Sequence, residues 1–217
     1  MEPRGTDARR AWVINALGRG ERFDDAVFDR FLSDTARGVS GQFWSPLIVA
    51  LRVASWASQL RLEHIVDIGS GAGKLCVAAA LACRSRFTGL EQRPALVLAA
   101  RELADVFGVD DRVAFIERRL VRGGVPEADA YYLFNPFEEN LHGPSDHIDE
   151  TVALGLDRYD HDVAVIEELL VAARPGACVI LYNGFGGQIP GNYTRLRSGD
   201  DPLRPLELWR KSGNVEI

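Results

Sequence analysis

The stretch His64–Gly73, HIVDIGSGAG, constrains this chain more than any other. Ile65, Val66 and Ile68 are apolar and β-prone, which predicts a short buried strand, and Gly69, Gly71 and Gly73 then supply a tight turn. Leu75 to Cys83 is apolar almost throughout, as a helix packed beneath a sheet requires. The unit is therefore a strand, a glycine loop and a helix. In a doubly wound sheet that corner is where ligands sit, outside the carboxyl ends of the strands.

A glycine pattern alone does not name the ligand, so the spacing must. The dinucleotide fingerprint GxGxxG calls for its third glycine where this chain has Lys74, and Asp67 lies two residues before the first glycine. Asp67, Gly69, Gly71 and Gly73 instead resemble the acidic-x-Gly-x-Gly-x-Gly signature of class I methyltransferases that use S-adenosylmethionine. A second strand is predicted over Arg86 to Glu91, and Glu91 lies about 20 residues beyond the glycine loop, where an acid binds ribose hydroxyls.

The resemblance implies a fold and a set of roles. The fold is α/β, a doubly wound, mostly parallel seven-stranded sheet with an antiparallel C-terminal edge. A helical cap is expected over residues 1–60 and the S-adenosylmethionine-binding domain over 61–217. Gly69, Ser70, Gly71 and Gly73 would admit the methionine end of the cofactor, Asp67 would order the loop or the amino group, and Glu91 with Gln92 would hold the ribose. In the family an Asp after the third strand often contacts the adenine amine, but Arg119 stands at that place here. Adenine recognition then falls to backbone groups, to Arg118 or Arg119, or to Glu117.

Ala130 to Phe134 predicts the fourth strand, and it ends in Asn135-Pro136-Phe137-Glu138. This turn resembles the Asn-Pro-Pro-aromatic motif of amino-group methyltransferases and the Asn-x-Phe variant of seven-stranded histone-lysine methyltransferases. An Asn oxygen and a backbone carbonyl would accept hydrogen bonds from the target nitrogen while the aromatic ring packs on the substrate. Glu138 or Glu139 could serve as a base. The bland alternative is a strand-ending turn, which Asn and Pro favour anywhere.

The rest of the chain is read around these motifs. Helices are expected within Arg9–Leu17 and Phe23–Thr35, and a break over Gly38–Gln42. A further helix, capped by Ser45 with Pro46 at its first position, is expected to run to about Leu60. Phe43 and Trp44 either anchor that helix entry or lie over the cofactor pocket, as an aromatic-x-Pro segment does in several methyltransferases. Pro94–Phe107 predicts a helix, Arg112–Ile116 the third strand, Val163–Ala173 a helix and Cys178–Tyr182 the fifth strand. Tyr193–Leu196 and Leu206–Arg210 suit an antiparallel pair. Leu141–Asp162 carries many acids and three His. Its spacing matches no metal motif, so no metal is expected and a substrate-side lid is. The glycine-rich GFGGQIPGNY stretch is expected as a loop over the substrate side.

Composition narrows the partners. A net charge of −6 argues against a duplex-DNA partner, since phosphate neutralisation needs a basic surface. The N-terminal residues lack the apolar core of a secretory leader, no run is long enough to span a bilayer, and the 3 Cys form no CxxC pair. A cytoplasmic enzyme acting on a small molecule or a protein side chain is expected, by methyl transfer to nitrogen or oxygen. The alternatives are a non-catalytic S-adenosylmethionine-binding regulator and a nicotinamide-dependent oxidoreductase.

Overall fold

The computed structural model describes residues 5–199 and 203–213. In chain order its elements are α1 (Thr6–Gly18), α2 (Asp25–Asp29), α3 (Asp34–Gly38), α4 (Ser40–Phe43), α5 (Leu47–Leu60), β1 (His64–Ile68), α6 (Lys74–Ala82) and β2 (Arg86–Glu91). There follow α7 (Pro94–Phe107), β3 (Val113–Glu117), β4 (Ala130–Phe134), α8 (Leu156–Ala172), β5 (Cys178–Tyr182), β6 (Tyr193–Ser198) and β7 (Leu206–Lys211). The strands form one sheet in the order β3-β2-β1-β4-β5-β7-β6. Among the described strands, β7 alone runs against the other six.

The pleat sorts the core. Ile65, Tyr132, Cys178 and Ile180 face one side, together with residues of α1, α5, α6 and α7, whereas Val66, Ile68, Leu133 and Val179 face the other, against α8. Both faces are covered, which is why the central strands read as apolar runs. Asp67 alternates with Val66 and so points to the α6 side, where Cys76 meets it.

The expected N-terminal cap shares the first of these cores. Val13, Leu17, Phe28 and Leu32 pack in it, and the Phe28 and Phe107 rings stack at 5.1 Å. Lys74, the first residue of α6 and only 3% exposed, joins Asp25 at 2.6 Å and Asp29 at 2.7 Å. The outermost residues of the two expected segments, 1–4 and 214–217, lie outside the described residues.

Several expected helices differ in extent. The single helix expected over Phe23–Thr35 is divided into α2 and α3, because Asp24 and Ser33 each cap a new N-terminus, accepting from Ala26 N at 2.9 Å and Ala36 N at 3.3 Å. α4 lies partly within the expected break. Ser45 does not cap α5. Its hydroxyl meets the Tyr132 hydroxyl at 2.7 Å, and Leu47 N donates instead to Asp25 Oδ1 at 2.9 Å. α8 starts at Leu156, seven residues before the expected Val163, since Tyr159 continues its apolar face beneath a charged one. The segment expected as a lid is thus partly helical.

The glycine-rich stretch is irregular, as expected, but it does not lie over the cleft described below. Phe185 is 1% exposed and plugs the second core, and Gly184 O accepts from Asn135 N at 2.9 Å. It buttresses the turn after β4. No described helix is long and apolar enough to cross a membrane.

Candidate active site

A cleft opens at the carboxyl ends of β1, β2, β3 and β4, and Gly69, the first residue of the glycine loop, lies on its floor. Gly69 N and Ser70 N both donate to Leu90 O, at 2.9 and 3.0 Å, which fastens the loop to β2. Gly69 has φ 79°, and a Cβ there would sit 2.9 Å from Pro136 Cβ. Gly71 has φ 52°, and a Cβ there would strike the Trp44 ring. The loop is therefore wedged between the Asn-Pro turn and the tryptophan, which leaves space only for backbone. Trp44 itself is fixed by its indole N–H, which donates to Ala36 O at 2.7 Å. It packs in the first core and also lines the cleft.

Glu91 is buried at the end of β2. Its Oε2 accepts from Gly71 N at 3.0 Å and its Oε1 from Arg93 N at 2.9 Å. Burial raises its pKa, while those backbone N–H groups and the Arg93 charge oppose the rise. Each oxygen retains a lone pair, so the carboxylate is held in place without being saturated. Asp67 is also buried but is not on the cleft wall. Burial pushes its pKa up to about 7, against the Cys76 thiol, which donates to Oδ2 at 3.3 Å.

The facing wall starts at Asn135, whose φ of 36° is left-handed, a conformation Asn tolerates better than most side chains. Asn135 O accepts from Glu138 N at 3.2 Å, so the four-residue motif closes on itself as a turn. Phe137 is buried and Glu138 exposed. Glu139 is committed elsewhere, because its Oε1 accepts from Arg93 Nη2 at 2.8 Å and from Ile148 N at 2.7 Å. Arg93 Nε also reaches Asp149 at 3.1 Å. One buried guanidinium thereby clasps two points of the segment after β4. Farther along, Arg158 and Asp162 pair at 2.7 Å at the start of α8, and burial raises the Asp162 pKa against the pull of Arg158.

Of the residues singled out from sequence, Trp44, Gly69, Glu91, Gln92, Arg119 and Asn135 meet on this wall, with Pro136, Phe137 and Glu138 beside them. Asp67, Ser70, Gly71 and Gly73 back the loop and do not line the cleft. Sequence reasoning missed Arg93, Arg158 and Asp162. Arg93 had one available signal, its place two residues after Glu91. The i, i+4 spacing of Arg158 and Asp162 would have shown the other pair, had α8 been extended far enough.

No protein-family model matches the chain, and no curated protein matches it in sequence. Solved structures do match it in fold. An RNA methyltransferase from Salinibacter ruber in complex with S-adenosyl-L-homocysteine aligns at TM-score 0.56 and 24% identity, over 80% of this chain and 95% of that one. The O-methyltransferase TomG from Streptomyces achromogenes, in complex with SAM, aligns at 0.54 and 15% identity, over 88% and 92%. TrmN from Thermus thermophilus aligns at 0.58 and 16% identity, over 85% of this chain and 53% of that one. With its strand order and single reversed strand, the chain has the seven-stranded Rossmann-like fold of the class I S-adenosylmethionine-dependent methyltransferases.

Proposed function

We propose that this chain is a methyltransferase that moves the methyl group of S-adenosylmethionine to a nitrogen or oxygen nucleophile on a small molecule or a protein side chain. One observation carries the reading. Pro136 of the acceptor turn packs directly over Gly69 of the loop, at 2.9 Å from its Cβ position, so the cofactor corner and the Asn-Pro turn form one cleft with Glu91 on its wall. The residues suit the cofactor. A side chain is excluded at Gly69, Gly71 and Gly73, and Glu91 keeps acceptor capacity for two vicinal hydroxyls.

When bound, the cofactor supplies a sulfonium methyl group open to displacement by the acceptor. The protein's own share is alignment, for which effective molarities of about 10⁵ to 10⁸ M have been measured in small systems. Glu91, with Gln92 beside it, holds the ribose, Trp44 closes the methionine side, and Asp67, Ser70, Gly71 and Gly73 fix the loop. Asn135 accepts hydrogen bonds from the target nitrogen, Pro136 and Phe137 set the turn, and Glu138 takes up the displaced proton. Arg119 borders the base.

Calorimetric titration with S-adenosylmethionine, S-adenosylhomocysteine and NAD tests the cofactor. Micromolar binding of the first two alone is expected, and binding of neither overturns the proposal. Asn135→Ala tests the acceptor side, with turnover expected to fall by 10-fold or more, about 1.4 kcal/mol of transition-state stabilisation, while cofactor affinity stays within a few fold. A loss of cofactor affinity instead would move Asn135 to the cofactor side.

A further inference from the structure

The strand order fixes which way the cofactor must lie. β2 sits between β1 and β3, and Glu91 pairs in register with Glu117, so the turn after β3 adjoins the turn after β2. With the methionine end at the β1 loop and the ribose at Glu91, the base extends toward Arg118–Leu120. Those residues line the cleft there, but Glu117 is exposed and is not on the wall.

Beside that turn, on the same cleft, is the start of α8. Arg158 Nη2 donates to Leu120 O at 3.4 Å and so ties the helix to the turn. Its Nε lies 2.7 Å from Asp162 Oδ2, an ion pair outside hydrogen-bond geometry that leaves Nε itself without a hydrogen-bond partner, and the Arg119 charge is near enough to act on both members of the pair. Asp162 is only 4% exposed, it lines the cleft, and its other oxygen, Oδ1, is buried with no hydrogen-bond partner. Buried carboxylate oxygens are normally satisfied, so an orphan on a ligand-binding wall calls for a donor from the ligand. The other acids of the wall are unsuited to the role. Glu91 belongs to the ribose, Glu139 is anchored through Oε1 by Arg93 and Ile148 and has no buried orphan oxygen, and Glu138 is exposed beside the acceptor turn.

We infer that Asp162 determines base specificity, its Oδ1 accepting a hydrogen bond from the exocyclic amine of the adenine, with Arg158 as the residue that positions it. The inference rests on the methyltransferase reading. The acid that reads the base thus comes from the helix after β4, beside the turn that carries Arg119.

The probes are S-adenosylhomocysteine and S-inosylhomocysteine, in which a carbonyl oxygen replaces the amine. Each is titrated by calorimetry into the full chain. The wild-type protein should prefer the adenosyl compound by roughly 10- to 150-fold, the worth of one hydrogen bond to a charged acceptor. In Asp162→Asn the side-chain amide can donate to the carbonyl, and the preference should collapse to within a few fold or reverse. A wild-type ratio near one overturns the inference without recourse to any variant, and so does a ratio unchanged in a folded Asp162→Asn protein that still binds S-adenosylhomocysteine. Binding of neither compound by the wild-type protein overturns the methyltransferase reading and this inference with it.

Discussion

The two sides of the cleft are held by different means. On the floor, the loop after β1 is fixed by backbone groups, with Gly69 N and Ser70 N on Leu90 O and Gly71 N on Glu91. On the outer wall, the segment after β4 is fixed by side chains distant in sequence. Arg93 reaches Glu139 across 46 positions and Asp149 across 56. A backbone demand shows itself in residue type, since left-handed φ and close approach call for glycine at given places. A clasp between an arginine and two acids leaves no such mark, because surface charges of the same types surround it.

The largest expected effect breaks this division from the floor side. Lys74 begins the helix of the glycine corner, yet its ammonium is buried against Asp25 and Asp29 of the cap and lies 3.2 Å from Ser40 Oγ. Lys74→Met would remove the cation and leave Asp29 buried without it, for a loss of about 3–5 kcal/mol in urea denaturation. A loss below about 1 kcal/mol would mean that apolar packing alone holds the cap and that the ion pairs add nothing.

That residue also marks where the sequence stopped being informative. In the sequence Lys74 stands out only as a departure from a dinucleotide fingerprint, because nothing local tells a buried lysine from a solvated one. All seven strands were legible to within a residue or two, β1 to β5 because apolar runs and flanking turns report strand burial directly, and the C-terminal pair from its alternation. The helices of the cap were legible only as apolar spacing. Their division at Ser33 depends on whether a serine caps a new helix or faces solvent, which its neighbours do not decide. Glu91 and the Asn135 turn could be placed on the cleft because strand ends fix them. Asp162 could not, since a run of acids before a helix looks like caps and dipole partners until tertiary packing singles one out.

The next effect sharpens the comparison through pH. The floor buries Asp67 with its pKa raised to about 7 from 3.8. Because the folded value lies above the unfolded one, its contribution to stability is complete below about pH 4 and is lost as pH rises through 7. From pH 5 to 8 this corresponds to about 2–3 kcal/mol, at about 1.4 kcal/mol per unit. Asp67→Asn should lack that part of the slope, so the variant gains on the wild-type protein as pH rises. Parallel stability curves for the two proteins would place Asp67 in contact with water.

The smallest effect belongs to the outer wall. Arg93→Met removes the clasp, but Asp149 keeps its bonds from Thr151, at 2.9 Å from the backbone and 2.6 Å from the hydroxyl, and Glu139 keeps the one from Ile148 N. The carboxylates are also partly open to water, with side-chain exposures of 11% and 30%, so much of the lost attraction is recovered as hydration. A global loss of about 1–2 kcal/mol is expected, with the larger change local. Amide exchange should quicken over residues 139–151, while the floor amides of Gly69, Ser70 and Gly71 slow or quicken only with global stability. Equal acceleration in both regions would show that the wall and the floor unfold as one unit, and the distinction between backbone-held and clasp-held sides would then describe the geometry without describing the energetics.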